Sequence, residues 1–309
     1  MIRKVLPLLL SLFLSACSGS SSGSTEAISD RPIRAVVTTG MVGDVVHNVG
    51  GERVEISQLM QAGVDPHLYK ASEGDVQRLA GADIIFYNGL HLEARLTDVL
   101  AQMDQTGKPT VAIAEGVPEE ELLAPPEFAG FHDPHVWMDV KMWLHTIDPV
   151  RDALIELDPD HAEQYRANAE EYRTRLQALE SYVQQRVQEL PAERRMLVTA
   201  HDAFNYFSKG YEFDVFAPQG ISTETEASVE DIRSTIDVLV ERNVPALFAE
   251  STISPDIIKA VQEGAKARGH EVTIAGPLYT DAMGNEGTPE GTYEGMIRFN
   301  IDTIVDALK

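Results

Sequence analysis

Two histidines of this sequence stand directly after Asp-Pro: His67 in DPHLY (residues 65–69) and His135 in DPHVWMDV (residues 133–140). Proline fixes its own φ and drives the residue before it out of the helical region. Each tripeptide is therefore a stiff turn that holds an imidazole in a set direction, and two such turns point to one site built from both. His201 follows the apolar run MLVTA (196–200), and Asp281 follows the run EVTIAG (271–276) within GPLYTDAMG. All four lie where strand-like segments end, the position at which open α/β sheets bind ligands. A lone histidine is more often a hydrogen-bonded structural residue, and the shared position is what lifts these above that reading. Three neutral imidazoles and one carboxylate form a ligand set for a borderline divalent transition metal, Zn²⁺ or Mn²⁺ being typical.

The other candidates are weaker. His47 and His145 read as helix-face residues, His161 and His270 as solvated ones, and His91 as structural. His132 is either a further ligand or an entrance residue. Glu224, Glu226 and Glu250 are either acceptors that orient ligating imidazoles or residues that pack and pair between lobes.

The elements that must hold these residues alternate strand and helix. Strands are expected at 33–39, 53–60, 82–89 and 110–116, with helices at 41–49, from Ser72, and through LEARLTDVLAQM. Such alternation implies βα units and a mainly parallel sheet. The segment VPEEELLAPPEFAGFHDPH (117–135) is acidic and Pro-rich and reads as a loop. From Asp158 to Pro191 the chain then runs without glycine, and without proline between Pro159 and Pro191. Asp158 reads as its N-cap and Pro191 as its stop. A helix of about 30 residues spans roughly 45 Å; sustained heptads are not evident, so it reads as a strut between lobes rather than a coiled-coil arm. The βα texture returns with strands in MLVTAHD, FDVFAP, ALFAES and EVTIAG, and with helices opened by a Ser228/Asp231 capping box and by Ser254-Pro255. The fold class is thus α/β: two similar lobes with mainly parallel sheets, at 32–157 and 191–309, joined by a long helix at 158–190.

The first 17 residues differ in kind. Arg3 and Lys4 precede the apolar run VLPLLLSLFL, which is too short for a lasting transmembrane helix and reads as a signal peptide (1–17). It closes in LSAC, which resembles the lipobox of bacterial lipoproteins. Cys17 is the single cysteine of the chain, so no internal disulfide can form and lipidation accounts for it. A Gly/Ser-rich tether follows (18–31). With 49 acidic against 25 basic residues, the chain is a poor nucleic-acid ligand.

Together the blocks GVDPHLYKASEGDVQRLAGADIIFYNGLHLE, DPHVWMDV, VTAHDAFNYF, GISTETEAS, FAESTISP and LYTDAMG resemble the zinc/manganese solute-binding proteins of ABC importers. The likeness covers essentially the whole mature chain in order, and is strongest to the treponemal and streptococcal metal-binding lipoprotein type. It implies a rigid backbone helix between the lobes, metal ligands at His67, His135, His201 and Asp281, a lipid anchor at Cys17, and an ABC permease as partner. It further implies an extracytoplasmic, membrane-anchored monomer. One feature departs from the zinc-specific members: the loop before His135 holds only His132 instead of a histidine-rich stretch. The third position varies in the family between histidine and glutamate, glutamate being common among manganese-dedicated members; His201 there suits zinc without excluding manganese. The competing readings are a secreted metal-dependent enzyme and a siderophore- or cobalamin-type binding protein of the same fold. The first lacks H-E-x-x-H and G-x-S-x-G motifs; the second would line its cleft with aromatics and arginines.

Overall fold

The computed structural model describes residues 28–128 and 130–309. In the first lobe, β1 (Ile33–Val37), β2 (Val54–Gln58), β3 (Ile84–Tyr87) and β4 (Thr110–Ala112) form a parallel sheet in the order β2-β1-β3-β4. Its central strands are apolar on both faces because both faces are covered. Ala35, Val37 and Phe86 point into the core that contains α1 (Gly40–Gly50), while Val36 and Ile85 pack with Leu79 of α2 (Glu73–Gly81) and Leu100 of α3 (Thr97–Gln105). Thr39 caps α1 through its hydroxyl, and Ser72 with Asp75 forms a capping box on α2.

The fourth strand is shorter than its apolar run. After Ala112 the chain turns through a 3-10 segment (Ile113–Gly116), and the Ala114 N–H bonds the Asn88 carbonyl instead of continuing the ladder. Gly116 lies so close to the His145 carbonyl and Pro149 that a Cβ there would sit 2.4 Å from the oxygen, so the chain leaves the sheet where only glycine fits. Between Val140 and Leu157, where the sequence offers no clear pattern, two helices form: α4 (Val140–Trp143) and α5 (Ile147–Leu157). Residues 28–31 lie against this lobe, with one 3-10 turn at Ile28–Asp30 and Arg31 paired to Asp83 at 2.6 Å.

The linking helix, α6, runs from Ala162 to Val187, 26 residues and about 39 Å. Asp158 does not cap it through its side chain. Its carboxylate instead takes Arg53 at 2.9 Å and the Tyr165 hydroxyl at 2.8 Å, fastening the start of the helix to the first lobe. Tyr165, Ala169, Tyr172, Leu176, Leu179 and Val183 are buried at alternating spacings of four and three, a heptad seam concealed by tyrosine and alanine. This face packs on α1, α4 and α5 of the first lobe and on α10 (Tyr293–Leu308) of the second, within one continuous core. Asp44 of α1 is held at the junction by the Tyr172 hydroxyl (2.7 Å) and the Tyr293 N–H (3.2 Å).

In the second lobe β5 (Met196–Val198) pairs in parallel with β6 (Asp214–Phe216), and β7 (Ala246–Glu250) with β8 (Thr273–Leu278); β5 lies beside β7. Around them stand α7 (Asn205–Tyr211), α8 (Val229–Glu241), α9 (Asp256–Ala267) and α10. The Ser228/Asp231 capping box opens α8, and Ile258, Val261 and Ala265 of α9 seal a smaller core against Leu247.

Candidate metal centre

Each of the four candidates reaches the cleft between the lobes by a different local device. After β2 the Leu59 and Met60 N–H groups still bond the Val37 and Thr38 carbonyls, so the sheet guides the chain into the first Asp-Pro-His turn. There Asp65 Oδ1 accepts the His67 N–H at 2.9 Å. In the second turn Asp133 Oδ1 accepts the His135 N–H at 2.9 Å and lies 2.8 Å from its Nδ1, which leaves Nε2 facing the cleft. His201 follows β5 and forms an isolated parallel bridge with Gln219. Glu250, the last residue of β7, accepts the N–H groups of Ala200 and His201 through Oε1 and faces His201 Nδ1 through Oε2. Asp281 lies beyond β8, next to Thr280, whose carbonyl receives the Trp137 indole N–H at 2.8 Å. That indole also stands edge-on to the His135 ring at 5.1 Å.

These devices bring His67, His135, His201 and Asp281 together, each at most 1% exposed. Among the described residues they are the one group of side chains found that could hold a metal ion, and their candidate ligand atoms lie within 4.8 Å of one another. Asp281 Oδ2 is 3.6 Å from His67 Nε2 and 3.2 Å from His201 Nε2, and Oδ1 is 3.4 Å from His135 Nε2. A tetrahedron with ligands at about 2.0–2.1 Å has edges of about 3.3 Å, so the carboxylate stands at coordination distance from all three rings. His67 Nδ1 and Nε2, His135 Nε2, His201 Nε2 and both Asp281 oxygens are buried without a hydrogen-bond partner. Leaving that many polar atoms dry is costly, and a cation at their centre would satisfy the three Nε2 atoms and the carboxylate together.

The local charges differ sharply. Burial pushes the His67 imidazole down to about 3, with the neighbouring His135 and His201 adding to the effect against the pull of Asp281. Burial also opposes protonation of His135, but Asp133 and Asp281 outweigh it and lift the ring to about 9. His201 is raised well above the usual histidine range because Glu250 and Asp281 outweigh its burial. Asp281 goes the other way: burial alone would raise it, and His201 and His135 hold it well below the ordinary carboxylate range. Neutral His67 is ready to ligate, whereas His135 and His201 must give up a proton first.

The remaining candidates fall elsewhere. His132 is half-buried with an unpartnered Nδ1 and lines a cavity of about 570 Å³ together with His91, whose ring stacks on Phe131 at 3.9 Å; it is not part of the four-residue group. His270 bonds the Val244 carbonyl, and His161 lies against Asp158. Glu224 forms an exposed pair with Arg95 across the lobes at 2.9 Å, and Glu226 is exposed. Glu250 alone of the three glutamates orients a cleft imidazole. Asp133 has the same office for His135, and its place two residues before a histidine was the signal for it. Replacing Glu250 with glutamine, which keeps its size but weakens its hold on His201 Nδ1, is expected to lower ion affinity about 10- to 100-fold when measured against a competing chelator. An affinity equal to the parent's would show that Glu250 does not tune His201.

Residues 1–27, where the signal peptide and the Cys17 anchor are expected, lie outside the described residues, and no helix among the described residues is long and apolar enough to cross a membrane.

The chain is 43% identical over 296 residues to the manganese-binding lipoprotein MntA of Bacillus subtilis (strain 168), covering 96% of this chain and 95% of that protein. It is 45% identical over 286 residues to the zinc-binding protein TroA of Treponema pallidum (strain Nichols), covering 93% and 92%. The solved structure of the periplasmic zinc-binding protein TroA from Treponema pallidum superposes with a TM-score of 0.87 at 44% identity, over 90% of this chain and 99% of that one. The two-lobed α/β plan with a linking helix is thus shared. The profile described as zinc-uptake complex component A, periplasmic (ZnuA), matches residues 35–307, and the chain belongs to that family.

Proposed function

We propose that this protein is the substrate-binding lipoprotein of an ABC importer, capturing one divalent transition metal ion between its lobes and passing it to a membrane permease. His67, His135, His201 and Asp281 are the ligands in this reading. The observation that carries it is the set of buried, unpartnered imidazole nitrogens and carboxylate oxygens converging on one point. Three nitrogens and a carboxylate accept both Zn²⁺ and Mn²⁺, and the relatives are named for one or the other. The ion is cargo and not a catalyst: four protein ligands leave no open position for a reacting water, which catalytic zinc sites keep. The division into lobes at 32–157 and 191–309 around a linking helix at 158–190 gives each lobe two of the four ligands. Cys17 carries the lipid anchor, the folded body is extracytoplasmic and monomeric, and its net charge of −24 disfavours nucleic acid as a partner.

The test is a competitive titration of chelator-stripped protein with Zn²⁺ and Mn²⁺ in parallel, beside the His201→Ala variant. Saturation at one ion per chain, weakened in the variant, is expected. If neither ion binds, or the variant binds both as the parent does, the ligand assignment fails.

A further inference from the structure

Both Asp-Pro-His turns divide their aspartate in the same way. Asp65 Oδ1 accepts the N–H of His67, while Oδ2 accepts the Thr223 hydroxyl from the opposite lobe at 2.6 Å. Asp133 Oδ1 holds His135, while Oδ2 accepts the Asn205 side-chain amide, also from the opposite lobe, at 3.1 Å. These second-lobe partners are themselves fastened beside His201. Gln219, the bridge partner of His201, donates its side-chain amide to the carbonyls of Thr223 (3.2 Å) and Thr225 (3.0 Å). Asn205 also bonds Asp202, the residue after His201, at 3.0 Å. Each first-lobe histidine is therefore joined to the His201 segment by a path that does not run through the ion.

We propose that the Asp65–Thr223 and Asp133–Asn205 contacts are two latches that hold the lobes closed over the cargo and set its rate of release. Thr223 and Asn205 are then positioning residues: they touch no ion, but they keep each aspartate where it aims its own histidine. The proposal rests on the four-ligand reading above. A hydrogen bond to an ionised carboxylate is among the stronger ones in proteins. Separating the lobes must break both latches, so their loss belongs in the dissociation rate. Asp65 and Asp133 also explain why the turns read Asp-Pro-His: proline sets the direction, and the aspartate ties that direction to the other lobe.

The test is stopped-flow release of Zn²⁺ into excess chelator from the full chain in detergent, comparing the parent with Thr223→Val, Asn205→Leu and the double variant. Each single variant is expected to release about tenfold faster and the double about a hundredfold faster, with the association rate unchanged. The absorption spectrum of bound Co²⁺ should stay that of the parent, and Thr223→Ser should restore the parent rate. A merely structural role would lower the melting temperature without moving the release rate, and that outcome overturns the latches. So does a slower association or an altered Co²⁺ band. The two latches are tested separately, so misfolding of one variant leaves the other to decide. If the parent itself fails to take up one Zn²⁺, the metal-site reading falls and the latches fall with it; if it binds normally while both variants release at its rate, only the latches fall.

Discussion

Asp281→Asn is expected to weaken Zn²⁺ or Mn²⁺ binding by about 3–5 kcal/mol, roughly two-hundred- to several-thousand-fold. The substitution keeps the shape of the side chain and removes the one negative charge in direct reach of all three imidazoles, at 3.2–3.6 Å. In a fully buried site no solvent can replace that charge. The free protein changes as well. Asp281 is one of the two charges that keep His135 protonated, the other being Asp133, so the ring's affinity for its proton should fall in the variant. Titration against a chelator of known affinity measures the first effect, and NMR titration of the imidazoles the second. Binding within threefold of the parent would remove Asp281 from the ligand set.

Acidification should release the cargo steeply. In the ion-free protein His135 titrates at about 9 and His201 well above the ordinary range, so both carry protons at neutral pH, while His67, pushed down to about 3, does not. Binding must expel those two protons, and below about pH 9 the logarithm of the affinity should fall by up to two for each pH unit. Between pH 8 and pH 6 the loss is therefore up to about 10⁴-fold. Stability of the ion-free protein runs the other way. His135 and His201 hold their protons more tightly folded than unfolded, so their contribution is full below the unfolded value of about 6.5 and is lost as pH rises through the folded values. From pH 6.5 to 9 the ion-free melting temperature is therefore expected to fall while that of the loaded protein rises. Calorimetry with and without Zn²⁺ checks both slopes, and proton release measured in two buffers of different ionisation enthalpy counts the protons. Release of no protons at pH 7 would contradict these assignments.

Much of the site's frame could be read along the chain because its cues are local. A helix starting at Ser72 and one opened by the Ser228/Asp231 spacing could be placed from the sequence alone, and apolar runs at β1, β3, β5 and β7 mark strands. What stayed hidden depends on partners distant in sequence. The Thr223–Asp65 and Asn205–Asp133 bonds join residues 158 and 72 positions apart, and no pattern near either residue names the other. The burial of α6 was hidden for a different reason: the first half of its seam is Tyr165, Ala169 and Tyr172, and only Leu176, Leu179 and Val183 are strongly apolar on an otherwise charged helix, so the heptad spacing does not stand out as an apolar stripe. Asp158 resembled a helix cap but is engaged by Arg53 and Tyr165 instead. The close approach of Gly116 to the His145 carbonyl, just past the end of β4, is likewise a property of the packed state.

The seam of α6 also bears on inheritance. Its buried residues belong to one core that both lobes complete, and Asp44, Tyr172 and Tyr293 pin three helices from across the molecule at a single point. A recombination event that moved one lobe alone would strip half the cover from this shared wall and leave tyrosines and leucines facing water. Although the molecule is divided in two for holding an ion, the halves are not interchangeable cassettes. Changes of cargo must then arise by substitution in the turns and strand ends around the cleft, with the whole chain inherited as one piece.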